Sequence, residues 1–296
     1  MNRRTLSFFE AILAVGLWSS SPPLIKIALE ELSPLQINAL RYGGAFLILL
    51  PILWLRSRPL LRTLGRMDWI QLAIMGLLAF SLGNTVLYIG LKTLPATSTS
   101  FLLNGIPIAT VLLGIGVLGE YPRWLQWCGI LLAMVGGIVF FGGRIELTQV
   151  KPIGLTLLGV FLISVYGLMA RGMTRSGRVD PVSLTAIPMG FGALLILAFI
   201  WPMPILSWRI LGILAWLTFI NSAVGFVIWN HALKSIQAFE ISITGNLMPI
   251  GTALLAPLFL GEMVSGKAWV GMSISLIGVI LVGMGGRLDP HKTRII

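Results

Sequence analysis

Apolar residues in this chain neither alternate with polar ones nor recur as a narrow stripe; they run on unbroken. Ten stretches, at about 8–29, 35–55, 69–91, 96–118, 124–142, 153–170, 182–201, 210–232, 238–260 and 268–285, are apolar nearly throughout. Roughly 18–23 residues of helix cross a hydrocarbon core about 30 Å thick. Short segments rich in Arg, Lys, Pro and Gly separate the stretches. In lipid the backbone must bond to itself, and unalternating runs of this length do so only as helices. The pattern predicts an all-α membrane protein of ten transmembrane helices. The first run follows Arg3 and Arg4 as a secretory leader would. It continues too long for one, through Ser-Ser-Ser-Pro-Pro and with no small-x-small cleavage site, and so predicts a retained helix.

Composition agrees. The chain is 56% hydrophobic and only 10% charged, against about 25% charged in a soluble domain, and its mean hydropathy is +0.94. The net charge of +11 raises the question of nucleic acid. The basic residues do not gather into one patch, however; they punctuate the ends of the apolar runs, where their role is topological. If the N-terminus is cytoplasmic, 14 of the 21 Lys and Arg residues fall on the inner side, 5 on the outer, and Lys26 and Arg41 within helices. That bias predicts a multi-pass protein of the cell (inner or plasma) membrane with both termini cytoplasmic. Cys128 is the lone cysteine, so no disulfide forms within the chain.

The chain also repeats itself. A shift of 142 residues brings Asn104, Pro107 and Thr110 onto Asn246, Pro249 and Thr252, Gly119-Glu120 onto Gly261-Glu262, and Trp127, Gly129 and Gly136 onto Trp269, Gly271 and Gly278. Earlier in each half the match is looser, with Ser33-Pro34 resembling Asp180-Pro181 at an offset of 147. Two units of five helices are predicted, 1–145 and 146–296. Five is odd, so the second unit enters the membrane from the opposite side, the inverted repeat common in secondary transporters.

Here the residues resemble a known family. The stretch "LWSSSPPLIKIAL…LSPLQINALRYGGAFLILL" is similar to the opening helix pair of the EamA-like branch of the drug/metabolite transporter superfamily. The endings P-x-x-x-x-L-L-x-x-x-x-L-G-E, with Trp127 or Trp269 and a glycine-rich helix after them, are similar to the close of each EamA unit. The resemblance implies a ten-helix basket with a central cavity lined by helices 1, 3, 4, 6, 8 and 9. It implies export of small metabolites, amino acids among them, and within the family the aromatic amino-acid exporters are the nearest likeness.

Two motifs of soluble proteins dissolve in context. "GIGVLG" at Gly114–Gly119 spells a dinucleotide fingerprint but lies within an apolar helix with no strand before it. "GEMVSGKA" at Gly261–Ala268 lacks the Ser or Thr of a phosphate loop. No His/Cys/carboxylate cluster has metal-ligand spacing and no nucleophile elbow occurs. The expectation is no enzyme, no cofactor, no metal and no nucleic acid, with a small-molecule substrate and the bilayer as partners. A monomer is compatible with the sequence, which leaves the oligomeric state open.

Pro107 and Pro249 cannot donate to the carbonyls four residues back, and in lipid those carbonyls need another partner. Asn104 and Asn246 add an amide one turn earlier. Either these amides tie helices together or they line a transport site where helices 4 and 9 bend. Pro22 breaks helix 1 in the same way, beside Trp18 and Ser21. Asn84 and Tyr88 share a face of helix 3, Tyr166 lies centrally in helix 6, and Asn221 and Trp229 lie on helix 8. We read Trp18, Ser21, Asn84, Tyr88, Asn104, Tyr166, Asn221, Trp229 and Asn246 as substrate-binding candidates and Pro22, Pro107 and Pro249 as bends. Trp54, Trp69, Trp124, Trp201 and Trp208 suit the interfacial belt. Lys26 is placed to pair with Glu30 four residues on, and Lys26 and Arg41 are both expected to snorkel to the headgroups. Glu120 and Glu262 are expected to serve the turns that they flank.

Small multidrug relatives in the superfamily carry a glutamate midway along helix 1. Here that stretch, Ala11 to Gly16, is apolar, Glu10 is shallow, and Glu240 and His231 sit near helix ends. Facilitated export of small organic solutes by alternating access is therefore expected. A proton-coupled drug or metabolite antiporter is the first alternative, and a lipid-modifying or signalling membrane protein the second.

Overall fold

The computed structural model describes residues 3–118, 122–142, 147–175, 177–232 and 244–286. Those residues fold into helices and connecting turns, and no strand occurs among them. Six helices are long and apolar enough to cross a membrane: α1 Thr5–Ala28, α2 Pro34–Ser57, α3 Arg66–Thr93, α4 Ala96–Leu113, α6 Thr148–Ala170 and α8 Trp208–Ala232. Four shorter apolar helices complete the set, α5 Trp124–Phe140, α7 Pro181–Leu197, α9 Met248–Leu260 and α10 Gly266–Val282. Each matches one predicted run, although residues 238–243 of the ninth lie outside the described residues. Large apolar side chains such as Leu47, Leu55, Leu131, Ile138, Phe199 and Leu258 face outward. A surface of that character is stable only in lipid. The five tryptophans predicted for the interfacial belt are all exposed.

Helix starts follow from capping. Ser33 begins α2 with a capping box, its hydroxyl accepting from the Gln36 amide while Gln36 Oε1 accepts from the Ser33 amide. Asp180 holds the corresponding position before α7 and accepts from the amides of Val182 and Ser183 and the hydroxyl of Ser183. Burial alone would raise the Asp180 carboxyl. Hydrogen bonds from Ser183, Ser57 and Val182 outweigh it and hold the group below the usual carboxylate range.

Each of the three prolines read as a bend stands just after an interruption between helical segments. Segment Arg3–Ser19 ends and Ser21–Ala28 begins with Pro22 and Pro23 in its first turn. Ala96–Leu103 gives way to Gly105–Leu118 across Asn104, with Pro107 third in the new segment. Asn246 occupies the turn before Met248–Leu260, where Pro249 is second. A missing N–H at the start of a helix costs nothing, because that donor has no intrahelical partner in any case. Two helices also widen into π turns at similar places in the two halves, Gly76–Gly83 in α3 and Trp216–Val224 in α8.

α5 and α10 pack antiparallel along a glycine seam. A Cβ on Gly129 would come 2.5 Å from the Gly278 carbonyl oxygen, and one on Gly136 would come 2.8 Å from that of Gly271. The 142-residue shift carries one of these contacts onto the other, so the seam has two-fold character. Lys26 does not pair with Glu30. It reaches 2.6 Å to Glu262 and donates to the Leu94 carbonyl, while the other Glu262 oxygen accepts from the Ala96 amide that opens α4. Glu30 pairs instead with Arg209. Glu262, expected to serve the turn that it flanks, instead ties Lys26 of α1 to the start of α4; Glu120 lies outside the described residues.

Gly278→Leu should push α5 and α10 apart. Overpacking against side chains costs about 1–3 kcal/mol, and here the obstacle is backbone. A fall of several degrees in the melting temperature of the purified protein is expected, while Gly154→Ala, with open space around it, should leave it unchanged or raised. For the ion pair, a double-mutant cycle with Lys26→Met and Glu262→Gln should return a coupling of about 1 kcal/mol. A coupling near zero would show that Glu262 acts as a cap alone.

Candidate functional site

The break in α1 leaves backbone oxygens to be satisfied from elsewhere, and this need organises the centre of the molecule. Leu17 O accepts from Asn221 Nδ2 at 2.7 Å. Ser19 O lacks a helical donor because Pro23 has no N–H, and it accepts from Thr252 Oγ1 at 3.0 Å. Thr252 in turn accepts from Ser100 Oγ, so α4, α9 and α1 share one hydroxyl chain. The Trp18 indole donates to Asn221 O at 2.8 Å, and Trp216 Nε1 donates to Ser20 Oγ. Asn221 lies in the π segment of α8, whose wider turn exposes backbone and side-chain groups to the neighbouring helix. Gly225 beside it has no side chain, and a Cβ there would meet Trp18 Nε1 at 2.8 Å.

Around this junction runs a string of aromatic rings. Trp229 packs on Trp18 at 5.1 Å between centroids, Trp18 on Phe226 at 4.8 Å, and Phe226 on Phe80 at 5.7 Å. Phe80 then meets Tyr166 at 5.4 Å and Tyr42 at 4.8 Å. The string draws on α1, α2, α3, α6 and α8. Tilted and edge-on contacts of this kind suit the ring quadrupoles.

Arg41 stands at the end of the string. Sequence reasoning expected it to snorkel; it is 4% exposed. Its Nε donates to Ser222 Oγ at 2.7 Å, and one terminal nitrogen donates to Ser21 Oγ at 3.0 Å and to the Tyr88 hydroxyl at 2.9 Å. The guanidinium carbon lies 5.1 Å from the centre of the Tyr42 ring. α2 enters at Pro34, so Arg41 is two turns deep, and α1, α3 and α8 close over it before its side chain can reach a polar surface.

Of the residues read from sequence as site candidates, Trp18, Ser21, Tyr88, Tyr166, Asn221 and Trp229 thus come together. Asn84 is half-buried and donates to Ala79 O of its own π turn. Asn104 is buried, and its side chain makes no hydrogen bond among the described residues. Asn246 is buried next to Gly245, which faces the Trp229 ring. Pro22 lies in the wall of the junction; Pro107 and Pro249 follow the turns at Asn104 and Asn246. Arg41, Ser222, Phe80 and Phe226 were missed, and only the rarity of an arginine in an apolar run gave any signal. Among the described residues no group of three His, Cys, Asp or Glu side chains is placed to hold a metal.

Comparison with known proteins gives this architecture its context. A curated relative from Bacillus subtilis (strain 168), the uncharacterized transporter YyaM, is 25% identical over 92% of this chain and 91% of its own. The uncharacterized inner membrane transporter YedA of Escherichia coli (strain K12) is 26% identical over 98% and 95%. A probable terminal-alkyne amino-acid exporter of Streptantibioticus cattleyicolor is 25% identical over 92% and 91%. A crystal structure described only as that of a protein superposes with a TM-score of 0.69, covering 96% of this chain and 98% of that one. At 18% identity its likeness speaks for the fold. The model of the EamA-like transporter family matches twice, at residues 6–142 and 150–284. The chain is a multi-pass membrane protein and belongs to the EamA-like transporter family.

Proposed function

We propose that this transporter exports neutral amino acids, with a bias towards aromatic ones, by alternating access between five-helix halves 1–145 and 146–296, both termini being cytoplasmic. One observation carries the reading. The break in α1 and the π turn of α8 hold amides, hydroxyls and a string of aromatic rings at the junction of helices from both halves. Aromatic faces suit apolar side chains, and the amides and hydroxyls suit the polar ends of an amino acid. The relative named a probable terminal-alkyne amino-acid exporter supports the same class. Solute would pass down its own gradient, because the middle of α1 carries no carboxylate.

A second reading, proton-coupled antiport, has one observation in its favour: His231 Nδ1 lies 2.9 Å from Glu10 Oε2 and ties α8 to α1. An imidazole can both accept and donate a proton, and such a pair could pass one between α8 and α1. Glu240, the other carboxylate considered, lies outside the described residues.

Uptake of labelled phenylalanine and leucine into liposomes holding the purified protein separates these readings. Equilibration faster than in empty liposomes, with a solute gradient and no pH difference, is the expected result. Strict dependence on a pH gradient, abolished by Glu10→Gln, would favour antiport; transport of none of a full amino-acid panel would end the amino-acid reading. If Asn104 touches substrate, Asn104→Ala removes a hydrogen bond of about 1–1.5 kcal/mol. Transport should then fall roughly five- to tenfold at unchanged melting temperature, and a drop in melting temperature with transport intact would make Asn104 a packing residue.

A further inference from the structure

Two charged residues are buried among the described residues, Asp68, which pairs with Arg178, and Arg41, whose surroundings do not neutralise it. Its three hydrogen-bond partners, Ser21, Tyr88 and Ser222, are neutral hydroxyls. No carboxylate lies within ion-pairing distance among the described residues, and its second terminal nitrogen has no hydrogen bond there. A guanidinium within the bilayer costs about 2.5–3.5 kcal/mol even on the mildest scales, and such groups normally face a partner. A structural tie between α1, α2, α3 and α8 would need only a neutral donor. The planar fork of arginine matches a carboxylate with two parallel hydrogen bonds.

A second, independent feature flanks it. Asn38 and Asn221 are both fully buried, and each leaves its side-chain oxygen without a hydrogen bond. Both amides spend their N–H groups within the protein, Asn38 on Thr85 Oγ1 and Asn221 on Leu17 O and Ser20 Oγ. Their acceptor ends are therefore free. Asn38 lies one turn from Arg41, and its partner Thr85 lies one turn from Tyr88; Asn221 adjoins Ser222. Buried acceptors are rarely left unpaired, and here one belongs to a residue a turn from Arg41 and the other to a residue adjoining its partner Ser222.

We propose that Arg41 is the anchor for a substrate carboxylate and that the Asn38 and Asn221 oxygens receive the α-ammonium group, so that the site selects zwitterionic α-amino acids over their amides and amines. The assignment rests on the export reading above and names the chemistry by which that site recognises its solute. Ser21, Tyr88 and Ser222 hold the guanidinium fork in place; Ser222 spends its own proton on Leu217 O, which leaves the hydroxyl protons of Ser21 and Tyr88 to turn towards a bound carboxylate. The aromatic string begins at Tyr42, beneath the guanidinium, and receives the side chain.

The test compares equilibrium binding of phenylalanine, phenylalaninamide, phenethylamine and phenylacetate to the purified full chain by tryptophan fluorescence and calorimetry. On the unaltered protein phenylalanine should bind at least tenfold tighter than phenylalaninamide. Arg41→Gln should bring the two within twofold, and Arg41→Lys should keep a reduced preference. If Arg41→Gln fails to fold, Tyr88→Phe, which removes one partner of the guanidinium but keeps the ring, should lower the acid-to-amide ratio. A merely structural arginine would change stability and leave that ratio alone. Equal binding of acid and amide by the unaltered protein overturns the proposal while leaving amino-acid export standing. Acid preference by phenylacetate alone, lost in Arg41→Gln, upholds the carboxylate anchor and ends the amino-acid reading. Persistence of the preference in Arg41→Gln overturns the anchor.

Discussion

A carbonyl oxygen deprived of its helical donor inside a bilayer has no water to turn to, and the centre of this protein is arranged around that fact. Pro22 and Pro23 free oxygens midway along α1. That of Ser19, which Pro23 cannot serve, is taken up by Thr252 from α9. At the same break Leu17 O, which also accepts from Ser20, takes a further bond from Asn221 of α8; both partners are far away in sequence. Each such bond brings another helix to the break and fixes its depth and rotation. Without the break, α1 would be one more apolar rod with a self-sufficient backbone, and nothing would hold Trp18, Ser20 and Ser21 against the π turn of α8. The polar groups that repair the backbone are also the groups a solute would meet.

The same logic explains why so few side chains form the junction. A polar residue in lipid must be bonded or must face a polar space. Thr252 meets the first condition through the Ser19 oxygen, and Asn221 and Arg41 do so in part, Asn221 through its N–H groups alone and Arg41 through three hydroxyls. The rest of the surroundings is aromatic, and rings can be buried against one another with no such demand. Phe80, Phe226 and Trp229 pack in a row through Trp18 beside these polar groups.

Much of this was legible beforehand. The apolar runs marked the ten apolar helices among the described residues, and the Ser-Ser-Ser-Pro-Pro and Asn-x-x-Pro sequences stand at the interruptions in α1 and α4 and at the turn before α9, since proline and amides are costly in an apolar helix wherever they stand. Trp18, Tyr88 and Tyr166 could be picked out as too deep for the interface. Arg41 was misjudged because one dimension gives distance from a helix end and says nothing of what covers that end. The enclosing partners are Ser21, Tyr88 and Ser222, up to 181 positions away. Lys26 was misassigned for the same reason: Glu30 is a neighbour along the helix, but Glu262 is the neighbour in space. The π turns of α3 and α8 left no trace in composition, because they arise from how the helices fit and not from any residue type.

The glycine seam between α5 and α10 has an implication of its own. Its two contacts exchange places when the first half is laid on the second, so the seam is isologous, the kind of surface by which two identical subunits meet about an axis. In a chain with a single copy of this helix, any change at the position now held by Gly129 and Gly271 would have appeared on both sides of the contact at once and been felt twice. Fused into one polypeptide, the two positions can vary separately, and each still carries the residue that a symmetric pair of separate chains would require.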